Sequence, residues 1–147
     1  MKDLVSQLQV TVVPSAVVDI VWKDTKKFLQ AALDTTSGRY GIEDIYALLQ
    51  SGELVLWLVL DDAEPIACIT TRITNYPSGS RAMAMDWIGG KRMAEWLPMA
   101  HSIMKRYASD NGCTHMEGYG RKGWCRWLQK YGWKPEYITY RMDLNDG

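Results

Sequence analysis

The chain has 147 residues, 17 basic and 17 acidic side chains, 47% hydrophobic content and a pI near 6.7. This suits a single globular domain over residues 1–147 with a sizeable core, and the balanced charge excludes the basic face that a nucleic-acid binder needs. No apolar run approaches the ~20 residues of a membrane span, and Met1-Lys2-Asp3 starts no signal-peptide pattern, so the expected setting is cytoplasmic, without membrane or nucleic-acid partners.

In chain order, Leu8, Val10 and Val12 alternate with Gln9, Thr11 and Val13, the pattern of a half-buried strand. Pro14 cannot continue it, and Ser15 is expected to cap a helix running to Leu33, with Val17, Val18, Val21, Trp22, Phe28, Leu29 and Ala32 on its apolar side. A polar loop over residues 34–39 leads to a short helix over 42–50, which Ser51-Gly52 stops. Three strands follow, over 53–60, 65–76 and 81–88. Their short turns make them antiparallel neighbours, and Gly89-Gly90 is expected to break the third.

Met93, Trp96, Leu97, Ala100, Ile103, Met104, Tyr107 and Ala108 recur at three- and four-residue steps, one face of a long helix that Asn111-Gly112 terminates. Pro98 is expected in its first turn, where no N–H is needed. Then come a strand over 114–120, a compact helix carrying Trp124, Trp127, Leu128 and Tyr131 before Gly132, and an extended run over 136–144. The expected class is α/β, a mixed, mainly antiparallel sheet with helices on both faces, in the order β-α-α-β-β-β-α-β-α-β.

Cys68, Cys113 and Cys125 lack metal-type spacing and read as buried thiols; with two His in all, no metal site is expected. Seven Trp and eight Tyr stand against one Phe. Most should pack the core or its rim, with Trp96, at a helix start, the exception. His101 reads as a packed helix histidine and His115 as a strand residue without a partner.

The element order resembles the GNAT superfamily of N-acetyltransferases over nearly the whole chain. The segment Arg121-Lys122-Gly123-Trp124-Cys125-Arg126-Trp127-Leu128-Gln129-Lys130-Tyr131-Gly132-Trp133 carries it most specifically, with a polar start, an aromatic short helix and a Gly-aromatic pair. The chain looks closest to small GNAT-like proteins of tailed bacteriophages. The resemblance implies that the third antiparallel strand and the strand after the long helix diverge. Acetyl-CoA lies between them with its pyrophosphate on the helix N-terminus, where free N–H groups attract anions. It assigns Asp86, Trp87 and Ile88 to the wedge, and Gly89, Gly90, Lys91, Arg92, Met93 and Trp96 to the phosphate loop. Arg121 flanks the pantetheine arm, and Arg39 and Tyr40 border the acceptor site.

This chain departs from the family pattern. If Arg92 takes the basic position of the phosphate loop, the two small positions fall on Glu95 and Leu97. Neither admits a close backbone approach, and Glu95 repels an anion. Leu128 stands where a proton-donating Tyr is usual, leaving Tyr131 as the nearby candidate; Asp86 and Glu117 are the candidate bases. The implied reaction is direct acetyl transfer from acetyl-CoA to a small-molecule or peptide amine. The alternative is a catalytically silent protein of the same fold that serves virion assembly or binds a host or phage protein. A homodimer fits either reading.

Overall fold

The computed structural model describes residues 7–120 and 122–145. Strand β1 (Leu8–Val13) is followed by a 3₁₀ turn (Ser15–Val17), α1 (Val18–Leu33), α2 (Ile42–Ser51), β2 (Val55–Asp61), β3 (Glu64–Asn75), β4 (Arg81–Gly90), α3 (Met93–Asp110) and β5 (His115–Gly118). The last helix, α4 (Cys125–Leu128), lies between 3₁₀ turns at Lys122–Trp124 and Gln129–Tyr131. The sheet runs β1-β2-β3-β4-β5, antiparallel except for β4 with β5. This is the mixed, mainly antiparallel α/β architecture expected from the sequence.

Strand alternation divides the core. Leu56 and Leu58 face α1 and α2 with Val18, Phe28, Leu29, Ile45 and Leu49. Trp57 and Val59 point the other way, toward α3, with Met83, Met85, Trp96, Leu97, Ala100 and Met104. Trp57 is buried to the tip because its indole N–H donates to Thr71 Oγ1 at 2.9 Å. Gly52 ends α2 at φ 86°, as its sequence position suggests. Among the described residues, no helix is long and apolar enough to cross a membrane.

Five expectations are corrected. Ser15 caps nothing: it lies inside the 3₁₀ turn, and Pro14 precedes it. Gly89-Gly90 does not break β4; both residues pair with β3, opposite Cys68 and Ala67. Pro98 lies in the second turn of α3, because the helix already starts at Met93. It leaves the Ala94 carbonyl without the usual i+4 donor. Of the three thiols only Cys68 is buried; Cys125 is exposed because α4 turns that side to solvent. Residues 136–144 form no strand, since no neighbouring strand lies beside them.

Candidate active site

A bulge in β4 sets the geometry. Between paired rungs, β3 spans Ile69 to Thr71 while β4 spans Met85 to Ile88, so β4 carries one extra residue. The bulge resets the alternation. Met85 and Ile88 face α3, whereas Trp87 joins the core under α1. The Trp87 N–H has lost its ladder partner and donates to Thr70 Oγ1 at 3.1 Å.

Beside the bulge the parallel pairing ends. β4 and β5 pair from Ala82 with His115 to Met85 with Gly118. Residues 86–90 continue β4 along β3 with no β5 partner. β5 ends with the pairing at Gly118, and β4 runs on from Asp86 along β3 alone, at the place where the family resemblance expects the two strands to separate.

Arg72, Ala84 and Glu117 lie opposite one another across β3, β4 and β5, which places them on one face of the sheet. Asp86 is one step further along that face. Its side chain is 5% exposed, with Arg72 Nη2 3.4 Å from Oδ2. Arg72 donates a hydrogen bond to Oδ1, leaving Oδ2 with no hydrogen bond among the described residues. Burial pushes the Asp86 carboxyl above the ordinary carboxylate range; Arg72 opposes the shift and the charge of Glu117 adds to it. A buried carboxylate with raised proton affinity, paired to one guanidinium and short of a hydrogen bond, is a candidate general base.

Glu117 is held differently. It accepts from the Tyr76 hydroxyl at 2.7 Å, and His115 Nε2 lies 3.0 Å from Oε2. Burial alone would raise its pKa, but the Tyr76 and His115 hydrogen bonds prevail and hold it below the usual value. His115 therefore has a partner after all, and its Nδ1 lies 3.0 Å from Thr114 Oγ1. Arg72, Tyr76 and Tyr119 escaped the sequence reading. The period-2 pattern of β3 marks Arg72 as outward-facing but not as opposite Asp86.

Tyr40 packs edge-on against Trp87 with ring centroids 5.0 Å apart, and both Tyr40 and Tyr119 border Arg72. The loop after α1 thus roofs the bulge. Arg39 turns away and donates to Ser37 Oγ at 2.7 Å. Tyr131 stacks on His101 at 4.3 Å and packs with the α3-side core, away from the Asp86 row.

Buried His101 accepts a 2.9 Å hydrogen bond from Trp133 Nε1. Burial, with a smaller contribution from Lys105, lowers its pKa below 6.5. The unfolded chain therefore binds the proton more readily, and stability falls as pH drops through 6.5 toward the lower folded value. Melting temperature should decrease between about pH 7.5 and about pH 5.5, and His101→Gln, which keeps an acceptor without titrating, should flatten that slope. An unchanged slope would assign the pH dependence elsewhere.

At the helix start the structure revises several expected roles. Gly89 and Gly90 are packing positions. A Cβ on Gly89 would lie 2.1 Å from the Phe28 carbonyl oxygen, and one on Gly90 2.4 Å from Ala67 Cα. The Lys91 N–H donates to Ile66 O, and Lys91 O accepts from the Trp96 indole. Trp96 is buried at 1% exposure and belongs to the core, the reverse of the exception made for it. Met93 is half-buried against the same core. Arg92 precedes α3 at φ 62°. Its guanidinium donates twice to Glu95, at 2.9 Å each, and again to Asp61. The expected phosphate cation is thus already clamped by two carboxylates. No side chain caps the first turn of α3. Arg121 lies outside the described residues.

No family model matches this sequence, and no curated protein does. Solved structures do. An aminoglycoside acetyltransferase from an uncultured soil metagenomic sample aligns at TM-score 0.71 and 12% identity, over 94% of this chain and 99% of its own. The aminoglycoside N-acetyltransferase AAC(6')-Iy in complex with CoA gives 0.67 and 14%, over 97% and 99%. Ribosomal-protein-alanine N-acetyltransferase from Brucella melitensis gives 0.68 and 11%, over 94% and 99%.

The chain has the GNAT fold. At such identities the likeness is one of backbone, and the GNAT fold here carries its own local chemistry: Asp86 at the end of the β4–β5 pairing and a carboxylate clamp on Arg92.

Proposed function

We propose that this protein is an N-acetyltransferase acting on a cationic amine, with Asp86 as the base. The observation that carries the reading is the buried Asp86 carboxylate, ion-paired with Arg72 and with no hydrogen bond to Oδ2 among the described residues, just past the last rung that joins β4 to β5. Acetyl-CoA, when bound, supplies the thioester carbonyl. The open edge of β4 over residues 86–90 fits its amide-bearing arm, because unpaired strand groups hydrogen-bond amides. The phosphate end fits less well: the uncapped first turn of α3 attracts anions, while Glu95 repels them.

This chain's residues then do three things. Asp86 would accept a proton from the substrate ammonium, freeing the nitrogen lone pair to attack the thioester carbonyl, the C–S bond breaking as the coenzyme A thiolate leaves. Arg72 keeps the carboxylate oriented. Tyr40 and Tyr119, which border Arg72, line the acceptor position in this reading.

Isothermal titration with acetyl-CoA tests the donor side. Glu95→Gln, which removes one of the two carboxylates on Arg92 and leaves only Asp61, should tighten binding about tenfold. Equal affinity in the two proteins would show that the clamp does not compete with the phosphates. Absence of binding at millimolar acetyl-CoA in both would end the enzymatic reading.

A second reading draws on the same clamp. With Arg92 already neutralised, the fold would serve as a non-catalytic protein, of phage origin, that binds a host or phage protein or takes part in virion assembly. Failure of the titration would favour it.

A further inference from the structure

Trp133 ties α3 to the end of β5. Gly132, at φ 90°, reverses the chain after the Gln129–Tyr131 turn, and the Trp133 N–H returns to the Leu128 carbonyl at 3.3 Å. The indole then lies between two elements. At one end its N–H donates to His101 Nε2 at 2.9 Å. At the other end, Cζ3 lies 3.4 Å from where a Cβ of Gly118 would stand, in van der Waals contact. Gly118 is the last residue of β5 and pairs with Met85, directly before Asp86. It leaves the α3 side of the strand bare at this rung, because Glu117 faces the other way, beside Ala84. The end of β5 has no side chain of its own to pack there, and the indole supplies the packing.

His101 can hold this contact in only one protonation state. Its ring is 7% exposed and stacks on Tyr131 with centroids 4.3 Å apart. An indole N–H can only donate, so Nε2 must accept, which leaves the imidazole proton on Nδ1. The groups that face the ring are Tyr131 from the 3₁₀ turn, Trp133 from the segment after it and Lys105 from the next turn of α3. Among the described residues no carboxylate pairs with it. A proton on Nε2 would therefore meet the Trp133 N–H donor to donor, with a second positive charge beside Lys105.

We propose that Trp133, keyed to α3 by neutral His101, is a positioning residue of the acetyl-transfer site: it seats Gly118, fixes the end of β5 beside Asp86, and is unseated by a proton on His101. The consequence rests on the acetyltransferase reading, in which the thioester lies along residues 86–90 of β4 and the end of β5 borders its entry. A displacement of about 1 Å in such a site costs about a hundredfold in rate. The site is thus competent only while His101 is neutral.

NMR of the N–H groups reads the seat without turnover. As pH falls from about 7.5 to about 5.5, the Trp133 indole N–H, identified by its absence in Trp133→Phe, and the Gly118 amide should shift together, with one midpoint below 6.5. In His101→Gln, which accepts but does not titrate, neither should move through that transition. A Gly118 amide that ignores the Trp133 transition overturns the seat, and an indole that ignores pH overturns the key. Acetylation reads the consequence. The acid limb of log kcat/KM should reach a slope of about 2 in the wild type, one proton on Asp86 and one on His101, and about 1 in His101→Gln. Equal slopes overturn the proposal. Trp133→Phe keeps a ring on Gly118 and loses the N–H, so kcat should fall about tenfold while KM for acetyl-CoA stays within about twofold. A Trp133→Phe protein that melts lower but turns over like the wild type would make the residue merely structural and overturn its positioning role. Joint shifts in a protein that turns over no amine would remove the acetyltransferase reading and leave the seat; turnover beside an unmoved Gly118 amide removes the seat alone.

Discussion

Asp86→Asn should lower kcat/KM for acetylation of a primary amine by about 10²–10⁴-fold, the range for loss of a positioned base. Asparagine is nearly isosteric with aspartate but cannot take a proton from an ammonium ion. Because burial raises the Asp86 pKa, the competent carboxylate forms only above that raised value, so wild-type activity should climb with pH through it. The stability effect has the opposite sign. A carboxyl with a raised folded pKa binds its proton more tightly in the folded state, so its contribution to stability declines as pH rises from the unfolded value through the folded one. Asp86→Asn removes that decline, and its melting temperature at neutral pH should equal or exceed the wild type's, since Arg72 is one-third exposed and retains water. Loss of activity together with loss of fold would be uninformative for mechanism, so the melt and the assay belong together. A variant within threefold of wild-type activity would remove Asp86 from the chemistry.

The second large effect is structural. Gly89→Ala should destabilise the protein by on the order of 3 kcal/mol, the size of a severe overpacking substitution. The added Cβ would sit 2.1 Å from the Phe28 carbonyl oxygen, a backbone atom in the middle of α1. No rotamer change relieves that clash; α1 must move off the sheet, disturbing Leu29, Leu33 and Trp87 beneath it. Chemical denaturation measures the loss. As a control, Gly123→Ala has nothing within 4 Å of the new Cβ and should be close to neutral. If Gly89→Ala unfolds at the wild-type denaturant concentration, α1 does not rest on β4 as closely as described. The same contact shows that Gly89 has a packing role against α1.

Much of this protein was legible because the determining forces are local. The apolar spacing of α3, the helix stops at Gly52 and Gly112 and the short turns that join the antiparallel strands all depend on residues a few positions apart. The element order together with the family resemblance points to the end of the β4–β5 pairing, and Asp86 lies there.

What stayed hidden depends on pairing between distant segments. A bulge adds one residue to a strand without altering its hydrophobic composition, so nothing in the pattern shows Trp87 turning under α1 while Asp86 stays with Glu117. The Arg92 clamp needs Asp61, 31 positions away, and the Asp86 carboxylate is held by Arg72, 14 away. Trp96 looked like a cofactor contact because a helix start is often exposed, but α3 lies with its first turns against the sheet and buries the ring. Residues 136–144 show the reverse case. Their alternation was plain in the sequence, but alternation states only that a strand can form; a neighbouring edge within hydrogen-bonding distance decides whether it does.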